Sequence, residues 1–190
     1  NFTAENASIG QGTLLFEFGS WNRDNNTFAE DSSITNVTLT IDSTNNTLTG
    51  LRDTINDSSM GVTASIIQTA ESAYSLVVKS NSGSGNEMKI TATEDASNTG
   101  LSTFGFSTYS SSKETIIGKD ANITVDGVSV SRSSNIITDL IDGVQLELKG
   151  TVSSATTVEA SYDEATALAN MNSFVEALNT LNTKIAELTN

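Results

Sequence analysis

Carboxylates dominate the reactive inventory of this chain, with 23 Asp and Glu against 9 Lys and Arg and no His or Cys at all. Two carboxylate pairs have spacings that an acid/base mechanism could use, Asp53 with Asp57 and Asp139 with Asp142. The first pair stands at i and i+4 on an expected helix, beside Arg52. Carboxylates at helix ends and on solvated faces are the ordinary use of Asp, and all four are expected to be that. Asn22, Asp24 and Asn26 alternate like the start of a calcium loop, but Thr27 stands where the turn Gly belongs and Ser33 where the closing Glu belongs. An acidic loop is the expectation. Ser110 to Lys113 reads Ser-x-x-Lys inside a serine run, without the companion motifs of a penicillin-binding site. Gly10-Gln-Gly12 and Gly83-Ser-Gly85 lack the helix and Lys that would cradle a phosphate, so they read as turns. Trp21, Tyr74 and Tyr109 could stack on sugars, but they are scattered. No catalytic, cofactor-binding or metal site is expected, and no enzyme.

Composition narrows the classes further. Ser (27), Thr (27) and Asn (19) fill more than a third of the 190 positions. Seven Asn-x-Ser/Thr sequons follow from that richness, since chance alone predicts about five. A net charge of −14 with no basic stripe argues against nucleic acid and anionic membrane surfaces as partners. No apolar run approaches the roughly 20 residues of a spanning helix. Without Cys there is no disulfide framework or thiolate, and without His no Ser-His-Asp arrangement. The chain opens at Asn1 with no targeting segment in view, and the expectation is an internal piece of something longer.

The elements that must position these residues follow from periodicity. Residues 1–11 lack a clear period and read as an extended lead-in. Leu14, Phe16 and Phe18 alternate as a strand, residues 19–33 read as a polar loop, and Val37, Leu39 and Ile41 alternate again. Leu48, Leu51 and Ile55 step by three and four, which predicts a helix over 49–58 with Thr47 or Thr49 as N-cap. Strands are expected at 62–68, 74–80 and 88–93, followed by a surface run over 96–119. Asp126-Gly127 predicts a type I′ turn that pairs Val125 with Val128 and Ile123 with Val130. Ile136, Ile137, Leu140 and Ile141 read as a short helix ending at Asp142-Gly143, with strands at 144–148 and 152–161 after it.

The last segment changes character. Ser161 and Glu164 form a capping box, and no Gly or Pro interrupts the chain from there to Asn190. Leu168, Met171, Val175 and Leu178, continued by Phe174, Leu181, Ile185 and Leu188, draw one apolar stripe along a helix over 163–189. Each large side chain left in water forgoes roughly 1.5–3 kcal/mol of burial. The stripe therefore calls for a cover, and its bundle-like spacing favours other helices over the chain's own β faces. Phe174, Val175, Leu178, Leu181, Ile185 and Leu188 are the residues expected to dock.

Two stretches carry more than composition. Residues 37–80 include "TLTGLRDTIND", "GVTASII" and "YSLVVKS", which resembles the flagellin hook motif of bacterial flagellar axial proteins. Residues 119–149, "KDANITVDGVSVSRSSNIITDLIDGVQLELK", resemble the opening of the C-terminal region of the hook-associated protein 2 family, the flagellar filament cap. The stretch "FVEALNTLNTKIAELTN" is similar to that family's return into its coiled-coil domain. The resemblance runs over about residues 12–190. It implies an extracellular homo-oligomer at the flagellum tip, secreted through the flagellar export apparatus, which helps flagellin and other axial proteins assemble into the filament. The fold expected is α+β, mainly β: two small β-rich domains with short helices, then a long helix of a coiled-coil or bundle domain. On that mapping 12–118 form an outer β-rich domain with the hook motif, 119–161 part of a middle domain, and 162–190 the start of a helical leg. Two rival readings are a tip-exposed adhesin that binds host surface glycans through Trp21 or Tyr109, and a hydrolase built from carboxylates alone.

Overall fold

A computed structural model describes residues 2–157 and 164–189. It divides into two compact units, Asn1–Lys149 and Gly150–Asn190. In the first, strand β1 (Gly12–Asn22) is central. β2 (Thr27–Glu30) and β3 (Val37–Ile41) pair antiparallel with its two halves along one side. On the other side runs β6 (Glu87–Glu94), in register from Gly12↔Glu94 to Gly19↔Glu87. Between β3 and β6 come helix α1 (Leu48–Asp57) and the hairpin of β4 (Val62–Ala70) and β5 (Ala73–Ser80).

The core gathers Leu14, Phe16 and Phe18 of β1, Leu39 and Ile41 of β3, and Leu48, Leu51 and Ile55 of α1. Val62 and Ala64 of β4 and Ile90 of β6 complete it. The step of three and four turns α1's apolar face inward, as the sequence predicts. Thr47 is the N-cap, its hydroxyl accepting the Gly50 N–H at 3.0 Å. Asn56 then staples the helix to β4, donating to the Ala64 carbonyl at 3.0 Å and accepting the Ala64 N–H at 2.8 Å.

The polar loop expected over 19–33 is instead the second half of β1, a tight turn and β2. The reason is a change of face. Successive strand side chains point to opposite sides of the sheet, so Leu14, Phe16 and Phe18 share one face while Gly19 and Trp21 are buried on the other. Gly19 permits this, because a Cβ there would stand 2.0 Å from the Ala29 carbonyl oxygen of β2. The lead-in is likewise integrated rather than peripheral: Phe2 bridges to Tyr74, Ser8 to Thr47, and Ile9 is buried in the core. Within the expected surface run over 96–119, Leu101 is fully buried and Phe106 bridges to Ile90 of β6.

Beyond the sheet come two hairpins. β7 (Ala121–Val125) and β8 (Val128–Arg132) pair Val125 with Val128 and Ile123 with Val130, and both Asp126 and Gly127 have positive φ, as a type I′ turn requires. β9 (Ile136–Ile141) and β10 (Val144–Glu147) form the second. The short helix expected at 136–141 is therefore a strand. A run rich in β-branched residues, closed by Asp142-Gly143, fits a pleated hairpin better than a helix of less than two turns. Residues 152–157 form no strand, and residues 158–161 of that expected strand lie outside the described residues. Helix α2 (Glu164–Thr189) belongs to the second unit; of the expected capping box, Ser161 lies outside the described residues.

Candidate functional site

Helix α2 has 26 residues, a span of about 39 Å at 1.5 Å per residue. Its apolar stripe is in water. Phe174, Val175, Leu178, Leu181, Ile185 and Leu188 are between 46% and 86% exposed, and Leu168 and Met171 extend the same stripe. Some of its polar side chains bond within the helix: Thr180 and Thr183 donate their hydroxyls to the carbonyls of Glu176 and Asn179 at 2.9 and 3.0 Å, and Lys184 pairs with Glu187 at 2.7 Å. What this surface can do chemically is exclude water against another apolar ridge.

The candidate reactive residues go to structural tasks. Asp139 on β9 pairs with Arg132 on β8 at 3.0 Å, and that hydrogen bond holds its carboxyl below the usual range. Asp53 pairs with its neighbour Arg52 at 2.7 Å. The Asn22 side chain accepts the backbone N–H of Asp24 at 3.1 Å and caps the β1–β2 turn. Asn26, at positive φ, accepts the Tyr109 N–H at 2.6 Å. Those two contacts make the acidic loop a hairpin turn. Lys113 donates to the carbonyls of Gly105 and Thr103 at 2.7 and 3.1 Å, and the Ser110 hydroxyl meets that of Ser112 at 2.9 Å, so the Ser-x-x-Lys pattern is a folded-back surface turn. Among the described residues no three Asp or Glu gather as a metal site would need, and no helix is long and apolar enough to cross a membrane.

One cluster escapes any reading by spacing. Trp21, 5% exposed, packs against Phe28, Phe106 and Tyr109 at centroid distances of 5.0, 5.4 and 6.4 Å, and its indole N–H donates to the Met88 carbonyl at 2.9 Å. Buried in this way, Trp21 offers no face to a sugar. Beneath it lies Glu87, which accepts the Trp21 N–H at 2.6 Å and pairs with Arg23 at 2.6 Å. Glu114 closes the group with a two-pronged contact to Arg23, at 2.5 and 3.0 Å. Hydrogen bonding to Glu114, and then to Glu87, raises the Arg23 guanidinium above its ordinary pKa against the opposing effect of burial. The residues come from positions 21, 23, 87 and 114, so no local pattern announces them.

A protein-family model described as flagellar hook-associated protein 2 C-terminus matches residues 118–190. The B-type flagellar hook-associated protein 2 of Pseudomonas aeruginosa is 36% identical over 165 residues, 80% of this chain and 35% of the relative. The crystal structure of FliD (HAP2) from Pseudomonas aeruginosa PAO1 superposes with a TM-score of 0.61 at 31% identity, covering 97% of this chain and 81% of that one. This chain belongs to the hook-associated protein 2 family. The flagellar hook-associated protein 2 of Salmonella typhimurium is a second relative, 32% identical over 80% of this chain and 32% of its own length. The chain thus spans about a third of the length of these curated relatives. The flagellar cap protein FliD of Escherichia coli, in its D1-D2-D3 form, shares the fold with a TM-score of 0.69 at 24% identity, over 98% of this chain and 59% of that structure. The mainly β architecture ending in a long helix is the architecture of these family members.

Proposed function

We propose that this chain is the central and C-terminal part of a flagellar filament cap, exported through the flagellar apparatus, that oligomerises at the filament tip and promotes flagellin assembly. The mechanism is contact rather than catalysis. Residues 12–118 act as an outer β domain, 119–161 as part of a middle domain, and 162–190 as the start of a helical leg. Flagellin, other axial proteins and further copies of the chain are the partners, and the leg docks on other helices through Phe174, Val175, Leu178, Leu181, Ile185 and Leu188.

The observation that carries this reading is the chain-wide match to the Pseudomonas aeruginosa structure, which takes in the β unit and the helix together. Physical chemistry supports it: five or more large apolar side chains in water represent on the order of 8–15 kcal/mol of unrealised burial, comparable to the stability of a domain. Deleting the gene in its own bacterium tests it. Filament growth should stop and return when the full-length gene is restored; filaments of normal length without the gene would overturn the reading.

A further inference from the structure

The central sheet buries side chains on both faces, and the Trp21–Glu87 end of the second face meets an irregular segment. The core side rests on α1 and the β4–β5 hairpin. On the other side, residues 105–120, which lead into the two hairpins, start at the β6 edge beside Ile90 and meet Trp21 through Phe106 and Tyr109, Arg23 through Glu114 and Glu87 through Gly118. That stretch is rich in Ser, Thr and Gly and reads as a flexible connection. In the structure it is pinned at several points. Phe106 exchanges two backbone hydrogen bonds with Ile90, at 2.7 and 3.1 Å. Tyr109 is held by the Asn26 side chain, and the Arg23 guanidinium lies 5.4 Å over its ring. Glu114, only 10% exposed, takes the fork of Arg23, whose other partner Glu87 is 7% exposed and belongs to the sheet. Arg is suited to this because its planar fork engages two carboxylates in fixed geometry.

The far end is pinned by backbone packing. A Cβ on Gly118 would lie 2.7 Å from the Gly83 carbonyl oxygen and 3.1 Å from Cγ of Glu87. Asp120 accepts the Ser84 N–H at 2.8 Å, and Ser82 donates to the Ser133 carbonyl at 3.1 Å. The 81–86 turn therefore grips the start of β7 and the end of β8 at once.

We propose that residues 105–120 are a rigid strap, clamped by Arg23 between Glu87 and Glu114 and seated by Gly118 on Gly83, that fixes the orientation of the β7–β10 hairpins on the central sheet. A strap of this kind makes the sheet and the hairpins one plate, so that force or contact at one is felt at the other. Its contacts lie wholly within this chain, so the strap holds whether or not the chain caps a filament.

The absence of native Cys in this chain makes the test clean. Spin labels on Thr38→Cys in β3 and Thr124→Cys in β7, in the full-length protein carrying only these two cysteines and diluted into unlabelled protein, report the distance between sheet and hairpins by pulsed electron resonance. The unaltered strap should give one narrow distribution. Glu114→Ala should at least double its width, Gly118→Val should shift or broaden it, and Thr115→Ala, at an exposed strap position, should leave it alone. A wild-type distribution already broad, or a Glu114→Ala distribution as narrow and centred as wild type, overturns the proposal. Should Glu114→Ala lower the melting of the sheet itself, the Gly118→Val distribution decides: unchanged, it overturns the strap; shifted or broadened, it supports it.

Discussion

Helices α1 and α2 carry the same kind of apolar stripe and meet opposite fates. Leu48 and Leu51 of α1 are fully buried, while Leu178 and Leu181 of α2 are about half exposed. Both follow spacings of three and four. The difference lies in what each region brings with it. Around α1 the chain supplies β1, β3 and β4, so ten residues of helix close a core. In the Gly150–Asn190 unit α2 is the sole described element, and a helix of 26 residues keeps its stripe in water. Periodicity thus announces that a face wants covering, and the identity of the cover must come from elsewhere.

Truncating one leucine on each helix separates the two most strongly. Leu51→Ala should cost about 2–5 kcal/mol in urea unfolding, because a filled core loses a large side chain. Leu181→Ala in the same 190-residue chain should stay within about 0.5 kcal/mol. Equal costs would erase the distinction. Next, Gly19→Ala should cost about 1–3 kcal/mol by forcing a methyl against the Ala29 carbonyl. Gly150→Ala, with nothing within 4 Å of the added atom, should be silent in the same assay.

Smaller effects distinguish the two helices themselves. Thr47→Ala removes the N-cap of α1 and should cost about 1 kcal/mol, read by thermal melting. Thr183→Ala on exposed α2 should instead favour the helix slightly by circular dichroism, since Ala outranks Thr in propensity. Smallest is a pH effect in the first unit. Glu94 accepts the N–H groups of Ser102 and Gly100 at 2.7 and 2.6 Å, and these bonds hold its carboxyl below the usual value. The stability it contributes is present above the ordinary carboxylate pKa and lost as pH falls through the lowered one. Glu94→Gln should therefore flatten the acid limb of the stability–pH profile, lowering stability most near neutral pH and leaving the low-pH end unchanged.

Much of the fold is legible in the residues. The β3 alternation, α1 with its cap, and the Asp126-Gly127 hairpin each rest on local chemistry, and each stands where the sequence puts it. The features that escape such reading depend on distant partners. Trp21 looks like part of a loop because its burial is on the opposite sheet face to Phe18, so the period-two signal breaks at Gly19. Ile136, Ile137, Leu140 and Ile141 look helical because they recur at i, i+1, i+4 and i+5, whereas in the hairpin Ile137 alone of the four is well buried. The apolar stripe of α2 is visible throughout, whereas the Arg23 clamp joins residues up to 91 positions apart.

On the proposed reading, α2's stripe is made for helices outside this chain's β elements. Thiol-labelling rates of Leu178→Cys, measured in the 190-residue chain and again in the full-length assembled protein, test it most directly. Rapid labelling in the chain alone, slowed by about tenfold or more in the full-length protein, is the predicted result, tenfold corresponding to about 1.4 kcal/mol of protection. Slow labelling in the chain alone, or rates that are equal in both, would contradict it.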